Sequence, residues 1–241
     1  MIKNLLVLPN QLFSQIKTIE IENIIFYEAE EYFTKYNYNQ KKLLLHRASM
    51  QNFYQELKGE SKAELSYFEY KTDLKEIITE LKSLTVFDPV NKGLKSRIKE
   101  ITAAAGIELK ILESPNFLTS REQNAEFFKD HDFFQHQYYQ MQRKRLKILV
   151  DSSGKPEGGK WSYDSKNRKK FSQEIEIPAL PEFDNSELKA AKKYVEQNFG
   201  DNPGDLNNFF YPVSRKGAEE LLADFIPVSY THLTLPTKRI V

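Results

Sequence analysis

Cysteine is absent from all 241 residues of this chain. Disulfide bonds and thiolate-ligated metal sites are therefore excluded from this polypeptide. The absence fits any cellular compartment, but it leaves the hydrophobic core as the main source of stability. With 40% hydrophobic residues, the composition is that of an ordinary globular protein.

An excess of charge of one sign is also absent. The 35 basic and 34 acidic residues give a formal net charge of +1, which argues against a dedicated nucleic-acid-binding protein while allowing local basic patches. No run reaches the roughly 18 apolar residues of a membrane span, and Met1–Asn4 leads directly into an apolar run rather than a signal peptide. We therefore expect a cytoplasmic protein with no membrane partner.

Glycine is scarce where a dinucleotide site would need it. The first apolar run is followed by Pro9, Asn10 and Gln11, with no Gly-x-Gly-x-x-Gly pattern. Tight approach of a diphosphate to a helix N-terminus requires those glycines. The sequence thus argues against a classical nicotinamide-binding domain.

Short apolar runs alternate with longer amphipathic stretches through the first half of the chain. Five runs are β-branched or aromatic and predict strands: Leu5–Leu8, Ile24–Tyr27, Leu65–Phe68, Leu84–Phe87 and Ile107–Leu112. Three stretches have apolar residues at helical spacing: Lys41–Leu57, Asp73–Leu81 and Asn91–Ala105. The alternation predicts an α/β fold with a Rossmann-like, doubly wound, mostly parallel five-stranded sheet over residues 1–115.

The alternation of predicted strands and helices ends after Pro115. Four helices are predicted with no strand between them: Glu122–Lys129, Phe133–Leu149, Ser186–Asn198 and Ser214–Ile226, the last with Ser214 as its N-cap. We interpret residues 116–226 as a helical and loop-rich connection. Residues 227–241 carry no acidic residue and two prolines, and they resemble translated sequencing-adapter sequence, so we expect them to be a non-native tail.

Polar residues follow three of the predicted strands. In an open parallel sheet, ligands bind beyond the carboxyl ends of the strands, at the point where the strand order reverses. The candidates are Asn10 and Gln11 after the first strand, residues 28–32 after the second, and Asp88–Asn91 after the fourth. We expect these groups to converge at one edge of the sheet.

The run Gly158–Arg168 contains the chain's one tryptophan, Trp161, beside two glycines. A large apolar side chain in such a loop predicts a specified contact. A plug in the core of the connection is the first interpretation; a contact to a further domain and an electron-transfer relay are the others.

Several motifs, in order, resemble the photolyase-related family of the cryptochrome/photolyase superfamily, the branch with iron–sulfur bacterial cryptochromes and prokaryotic (6-4) photolyases. They are Leu8–Leu12, Lys41–Lys42, His46–Phe53, Asn116–Ser120, Gly158–Arg168, Asp201–Phe209 and Val213–Arg215. The resemblance covers roughly residues 3–226. It implies an antenna chromophore of the ribityllumazine type at the sheet edge, and the positions at or beside the family's contacts are Asn10, Gln11, Glu28, Glu31, Tyr32 and His46.

This sequence departs from the family pattern at that edge. Pro9 replaces a glycine, Asn10 replaces an aspartate, and the acidic residue expected in the second loop falls on Tyr32, with Glu31 beside it. Either the register differs by one residue or the antenna contact differs. Asn10 and Gln11 could instead only cap the turn, and His46 could be a half-buried helix histidine.

Family members are about twice this long. The resemblance implies that FAD, a 4Fe–4S cluster and the damaged-DNA site belong to a C-terminal flavin domain that this chain lacks, which would be its partner. We therefore expect an N-terminal fragment of a flavoprotein for light-dependent DNA repair or blue-light sensing, without catalytic residues of its own. The alternative is a stand-alone Rossmann-like domain that binds a small molecule or a protein.

Two weaker hypotheses concern the connection. Basic residues near Tyr138, Tyr139 and Trp161 could form a nucleic-acid surface or simply a solvated face: Arg143, Lys144, Arg145, Lys160 and Arg168. His131 and His136 are five residues apart, which does not place them on one helix face, so no metal site is expected there. We also expect exposed apolar side chains on the connection: Phe209, Phe210, Tyr211, Leu222 and Phe225.

Overall fold

A five-stranded, all-parallel sheet organises the first half of the chain. The structure is a computed structural model that describes residues 1–162, 181, 183 and 186–231, without the side chains of 227–231. The strands are β1 (Ile2–Val7), β2 (Ile21–Tyr27), β3 (Glu64–Phe68), β4 (Ser83–Phe87) and β5 (Glu108–Leu112). Their order is β3-β2-β1-β4-β5, and every pair is parallel. The predicted α/β fold is confirmed.

The helices of the described residues are α1 (Glu30–Phe33), α2 (Gln40–Glu60), α3 (Leu74–Ile78), α4 (Lys92–Ala104), α5 (Arg121–Lys129), α6 (Gln135–Leu146), α7 (Ser186–Phe199) and α8 (Arg215–Thr231). Short 3-10 turns lie at Ser14–Lys17 and Glu157–Gly159. The predicted set lacked α1, which has a single turn. The last helix runs past the predicted end at Ile226, through Pro227, to Thr231.

Side-chain caps begin several of the helices. Asn39, Asp73 and Asn91 each accept a backbone N–H from the first turn of α2, α3 and α4. Ser214 accepts from the N–H of Gly217 at 3.1 Å, as its predicted N-cap role requires. These caps satisfy backbone donors that have no intrahelical partner.

Alternation along the strands sends apolar side chains to both faces of the sheet. Leu5, Val7, Ile24 and Phe26 pack with α2 and α7, whereas the neighbouring residues of β1, β2 and β4 pack with α3 and α4. Both faces are therefore covered, as in a doubly wound fold.

The chain divides into two compact units. The first comprises Met1–Phe117 and Pro181–Ala218, and the second comprises Leu118–Leu180 and Glu219–Val241. This division differs from the contiguous one expected from sequence, because residues 181–218 return to the sheet. In the second unit, Arg143 is the one buried residue among the described side chains.

The return segment is anchored to α2 and the residues just before it. Gln40 Nε2 donates to the carbonyls of Gly200 at 3.0 Å and Asn202 at 2.9 Å. Gly204 has φ +92°, and a Cβ there would overlap the side chain of Asn39. Only glycine fits this close approach, which accounts for Gly204 within the motif Asp201–Phe209.

The exposed apolar patch predicted for the connection is found only in part. Phe209 is buried in the core of the first unit, contrary to prediction. Tyr211 in that unit and Leu222 and Phe225 in the second are exposed. Phe209 packs inward because the segment that carries it belongs to the sheet unit.

Candidate functional site

The loops after β1 and β4 meet where the strand order reverses. The fully buried Gln11 donates from Nε2 to the carbonyl of Phe87, the last residue of β4, at 2.7 Å. This hydrogen bond holds the loop after β1 against the end of β4. The crevice at such a reversal is where doubly wound sheets bind ligands.

Tyr32 lies at the centre of this edge. Its hydroxyl donates to the carbonyl of Pro89 at 3.5 Å, a long contact. Burial raises the pKa of Tyr32 to about 12, and a hydrogen bond with Asn10 partly offsets that rise. The phenol therefore stays protonated and links the loops after β1, β2 and β4.

His46 reaches the same edge from α2. Its ring lies edge-on to that of Tyr32, with the centroids 5.6 Å apart. Burial lowers the pKa of His46 to about 4, and the positive charge of Lys42 one turn earlier acts in the same direction. The imidazole is thus neutral near pH 7.

Three buried polar atoms at this edge have no hydrogen-bond partner within residues 1–162, 181, 183 and 186–231: Asn10 Oδ1, Gln11 Oε1 and His46 Nε2. A buried polar atom without a partner costs about 1–3 kcal/mol. Such atoms are rare in native proteins, and a cluster of them indicates a bound ligand or water. Two are acceptors by chemistry, and a neutral imidazole nitrogen can accept as well.

Glu28 is occupied by protein donors rather than directed to a ligand. Its side chain is completely buried and receives Arg47 Nη1 at 2.7 Å and the hydroxyls of Tyr67 and Tyr194 at 2.8 Å each. Arg47 lies 3.9 Å from the centroid of the Tyr194 ring. This Glu28 cluster ties α2, β3 and α7 together.

Glu31 is also paired. Its carboxylate receives Arg97 Nη2 of α4 at 2.8 Å, and the neighbouring Glu30 receives Arg97 Nη1 at 3.2 Å. The Glu31 side chain is almost fully buried. It holds α1 against α4 beside the site. Of the six predicted positions, Asn10, Gln11, Tyr32 and His46 lie at this sheet edge, and both glutamates are engaged in ion pairs.

The loop after β4 contributes features that the sequence did not reveal. Val90 adopts φ +65°, which a β-branched residue rarely does. Its N–H donates to Asp88 Oδ1 at 3.0 Å, and Asp88 Oδ2 receives Lys95 Nζ at 2.8 Å. The strained turn points the carbonyl of Pro89 at Tyr32. No sequence signal marks that carbonyl.

The basic residues of the second unit have mainly structural contacts. Arg143 is buried and donates to the carbonyls of Ile148, Leu149 and Trp161. The Trp161 ring lies 5.1 Å from the Arg143 guanidinium and 5.4 Å from Lys144 Nζ. Trp161 thus packs on the end of α6 rather than in an apolar core.

The other predicted nucleic-acid contacts are dispersed. Arg145 donates from Nη2 to the Leu118 carbonyl at 2.7 Å and to Thr119 Oγ1 at 3.1 Å. Lys160 is exposed, and Arg168 lies outside the described residues. The nucleic-acid surface stays a prediction. In the described part of the chain, no helix is long and apolar enough to cross a membrane.

Fold and site together define a class: an α/β domain with a doubly wound parallel sheet and buried polar side chains at its switch point, without a dinucleotide glycine fingerprint. The family model "Deoxyribodipyrimidine photo-lyase-related protein" matches residues 5–211. The chain belongs to this photolyase-related family.

Two curated relatives are similar to the chain. A (6-4) photolyase of Agrobacterium fabrum is 24% identical over 237 residues, spanning 92% of this chain and 47% of the relative. An uncharacterized protein of Acanthamoeba polyphaga mimivirus is 31% identical over 202 residues, spanning 73% of this chain and 98% of the relative. This chain therefore covers about half the length of the first relative and nearly all of the second.

Among solved structures, an archaeal photolyase from Sulfolobus tokodaii with two FAD molecules is similar over 54% of this chain and 34% of that chain. The TM-score is 0.37 and the identity 12%. Similarity at that level carries no argument about this chain's ligands.

Proposed function

We propose that the chain is the antenna-binding part of a photolyase-like flavoprotein, and that a ribityl-substituted heterocycle of the lumazine type binds at the sheet edge. The observation that carries the proposal is that Asn10 Oδ1, Gln11 Oε1 and His46 Nε2 are buried and have no hydrogen-bond partner among the described residues. A ribityllumazine offers the complementary groups, namely hydroxyl and ring N–H donors. When bound, such a group absorbs light and passes the excitation to a flavin.

The residues of the site would bind and orient that ligand. Asn10 and Gln11 would accept hydrogen bonds from hydroxyl or N–H groups, and neutral His46 would accept a third. The Tyr32 ring would supply an apolar wall, with its hydroxyl protonated. The hydrogen bond from Gln11 to Phe87 keeps the second acceptor in place before the ligand arrives.

The site suits a neutral ligand better than a phosphorylated one. Pro9 has no N–H, and the glycines that let a phosphate approach backbone donors are missing from this loop. Two of the unpartnered atoms, Asn10 Oδ1 and Gln11 Oε1, are acceptors rather than donors. Riboflavin and FMN share a ribityl chain and differ by one phosphate, so we expect riboflavin to compete for the site about tenfold more strongly.

Titration of 6,7-dimethyl-8-ribityllumazine into the purified chain, followed by ligand fluorescence, tests the proposal. Gln11→Leu and Asn10→Leu each remove one acceptor, and each should weaken binding about tenfold or more. Gln55→Leu makes the same chemical change on an exposed position of α2 and should leave binding unchanged. Failure of the wild type to bind, or equal binding by all four proteins, would contradict the proposal.

Under this proposal, FAD, a 4Fe–4S cluster and damaged DNA are bound by a further domain of a longer protein. Support comes from the Agrobacterium (6-4) photolyase, of which this chain covers 47%. Light-dependent repair of a pyrimidine lesion by the purified 241-residue chain would contradict the assignment of catalysis to another domain.

The second candidate is a stand-alone domain that binds a small molecule or a protein without catalysis. One observation favours it: the mimivirus relative is matched over 98% of its own length. A protein of that size can consist of the sheet unit with little else. If the native coding sequence is found to encode this domain and nothing after it, and the purified protein binds no chromophore, the stand-alone domain replaces the first candidate.

A further inference from the structure

The second unit contains a groove that is unrelated to the sheet edge. One wall is a face of α5, which begins with a capping box in which Ser120 and Gln123 exchange hydrogen bonds. The other wall is the face of α6 that carries Met141 and Arg145, residues one turn apart. The groove has a volume of about 510 Å³, within the range of small-molecule sites. Its lining includes Glu122, Glu126, Phe127, Met141, Gln142 and Arg145.

Gln142 lines this groove, and its side-chain amide is held by a neighbouring residue. Its Oε1 accepts from Arg145 Nε at 2.9 Å, and Arg145 is itself held by the Leu118 carbonyl at 2.7 Å. The amide is therefore held through its oxygen. Its nitrogen is buried and has no hydrogen-bond partner in the part of the chain that the structure describes. A buried amide left in this state favours a ligand with an acceptor.

The opposite wall supplies acceptors and an apolar surface. Glu122 and Glu126 lie one turn apart on α5, so both carboxylates belong to the same helix face. Phe127 lines the groove, and its ring stacks on that of His131 with centroids 4.2 Å apart. That stack restricts the Phe127 ring, and Met141 adds an adaptable apolar contact.

We propose that this groove binds a planar heterocycle with a lactam edge, in which a ring carbonyl lies beside a ring N–H. The carbonyl would accept from Gln142 Nε2, the N–H would donate to Glu126, and the ring would pack on Phe127. Purinone and pyrimidinedione bases carry this edge. All the residues lie in the second unit, so the proposal stands independently of the antenna site.

Inosine and adenosine test recognition of the lactam edge, because the two nucleosides differ there. Inosine has the carbonyl and ring N–H, whereas adenosine presents an amino group and an unprotonated nitrogen at the same positions. We expect inosine to bind the purified full chain about tenfold more tightly, because adenosine would set its donor against the Gln142 donor. Titration monitored by protein NMR would give both affinities.

Variants identify the groove as the site. Gln142→Leu and the exposed-residue change Glu126→Gln should each weaken inosine binding about tenfold, while circular dichroism verifies the fold. Gln137→Leu, an exposed glutamine of α6 that does not line the groove, is the matched control. Equal affinity for the two nucleosides, absence of inosine binding, or unchanged affinity in both groove variants would overturn the proposal.

The heterocycle could be free or part of a nucleic-acid strand, and thymine distinguishes the two sources because it carries a similar edge. Thymidine and a short oligothymidylate are compared on the same protein. A much tighter oligothymidylate complex, with oligoadenylate weaker, assigns a base within a strand. Similar affinities of thymidine and oligothymidylate assign a free heterocycle. If oligoadenylate binds as well as oligothymidylate, the lactam edge is not recognised and the proposal fails.

Discussion

Replacing Glu28 with glutamine should destabilise the sheet unit by about 3–5 kcal/mol, since it breaks a buried ion pair by neutralising one partner. The Glu28 side chain is completely buried and receives Arg47 at 2.7 Å and the hydroxyls of Tyr67 and Tyr194. Glutamine has nearly the same shape as glutamate, but its NH₂ group would face the hydrogen-bond donors of this cluster. The Arg47 charge would remain in place without its buried counter-ion.

The magnitude can be judged against a neighbouring ion pair of the same arginine. Arg47 Nη2 also contacts Glu69 at 3.0 Å, but the Glu69 side chain is 44% exposed. Exposed pairs contribute about 0–1 kcal/mol. Glu69→Gln makes the same chemical change within the same cluster, and we expect it to cost no more than about 1 kcal/mol.

Urea unfolding of the full chain measures both variants. Trp161 belongs to the second unit, so the transition is better followed by far-UV circular dichroism than by tryptophan fluorescence. Tyr194→Phe removes one hydrogen bond to the carboxylate and should cost about 1.5–3 kcal/mol. If Glu28→Gln costs no more than Glu69→Gln, the interpretation of Glu28 as the buried centre of this cluster is wrong.

Two further predictions concern backbone geometry and pH. Gly204→Ala should lower the free energy of unfolding by at least about 1 kcal/mol, because φ at this position is positive and the added Cβ would overlap Asn39. Gly59→Ala lies in open space on a helix and should raise the free energy of unfolding by about 0.5–1 kcal/mol. Equal free energies of unfolding for the two variants would contradict this prediction. The pKa of His46 is about 4 in the folded chain against 6.5 for the free side chain, so the unfolded state binds the proton first as the pH falls. As the pH falls from 6.5 to 4, the free energy of unfolding of the wild type should decrease by up to about 3 kcal/mol more than that of His46→Gln. Parallel dependence of the two unfolding free energies on pH would refute the buried, neutral imidazole.

The sheet could be predicted because its signals are local. Each strand is a short β-branched or aromatic run, and Ser214 occupies the cap position predicted for it. The return of residues 181–218 to the sheet could not be predicted in this way. It depends on contacts such as that of Gln40 with Gly200, 160 positions away in the chain.

The candidate site shows the same limit. From the sequence, Gln11 and Glu28 are both predicted to bind a ligand, because each lies just after a strand. The structure separates them: Gln11 keeps an acceptor without a partner among the described residues, whereas Glu28 is surrounded by donors from α2, β3 and α7. Residue type and loop position cannot tell a ligand-binding side chain from one that a distant helix has already engaged. Arg143 is a similar case, because its carbonyl partners lie in the loop that follows α6.

A crystal structure of this chain grown with 6,7-dimethyl-8-ribityllumazine would reveal whether the sheet edge is the antenna site. We expect the heterocycle to lie beside Tyr32, with hydroxyl or ring N–H donors about 2.7–3.2 Å from Asn10 Oδ1, Gln11 Oε1 and His46 Nε2. Absence of ligand density from that edge at saturating concentration, whether or not the groove between α5 and α6 is occupied, would contradict the assignment.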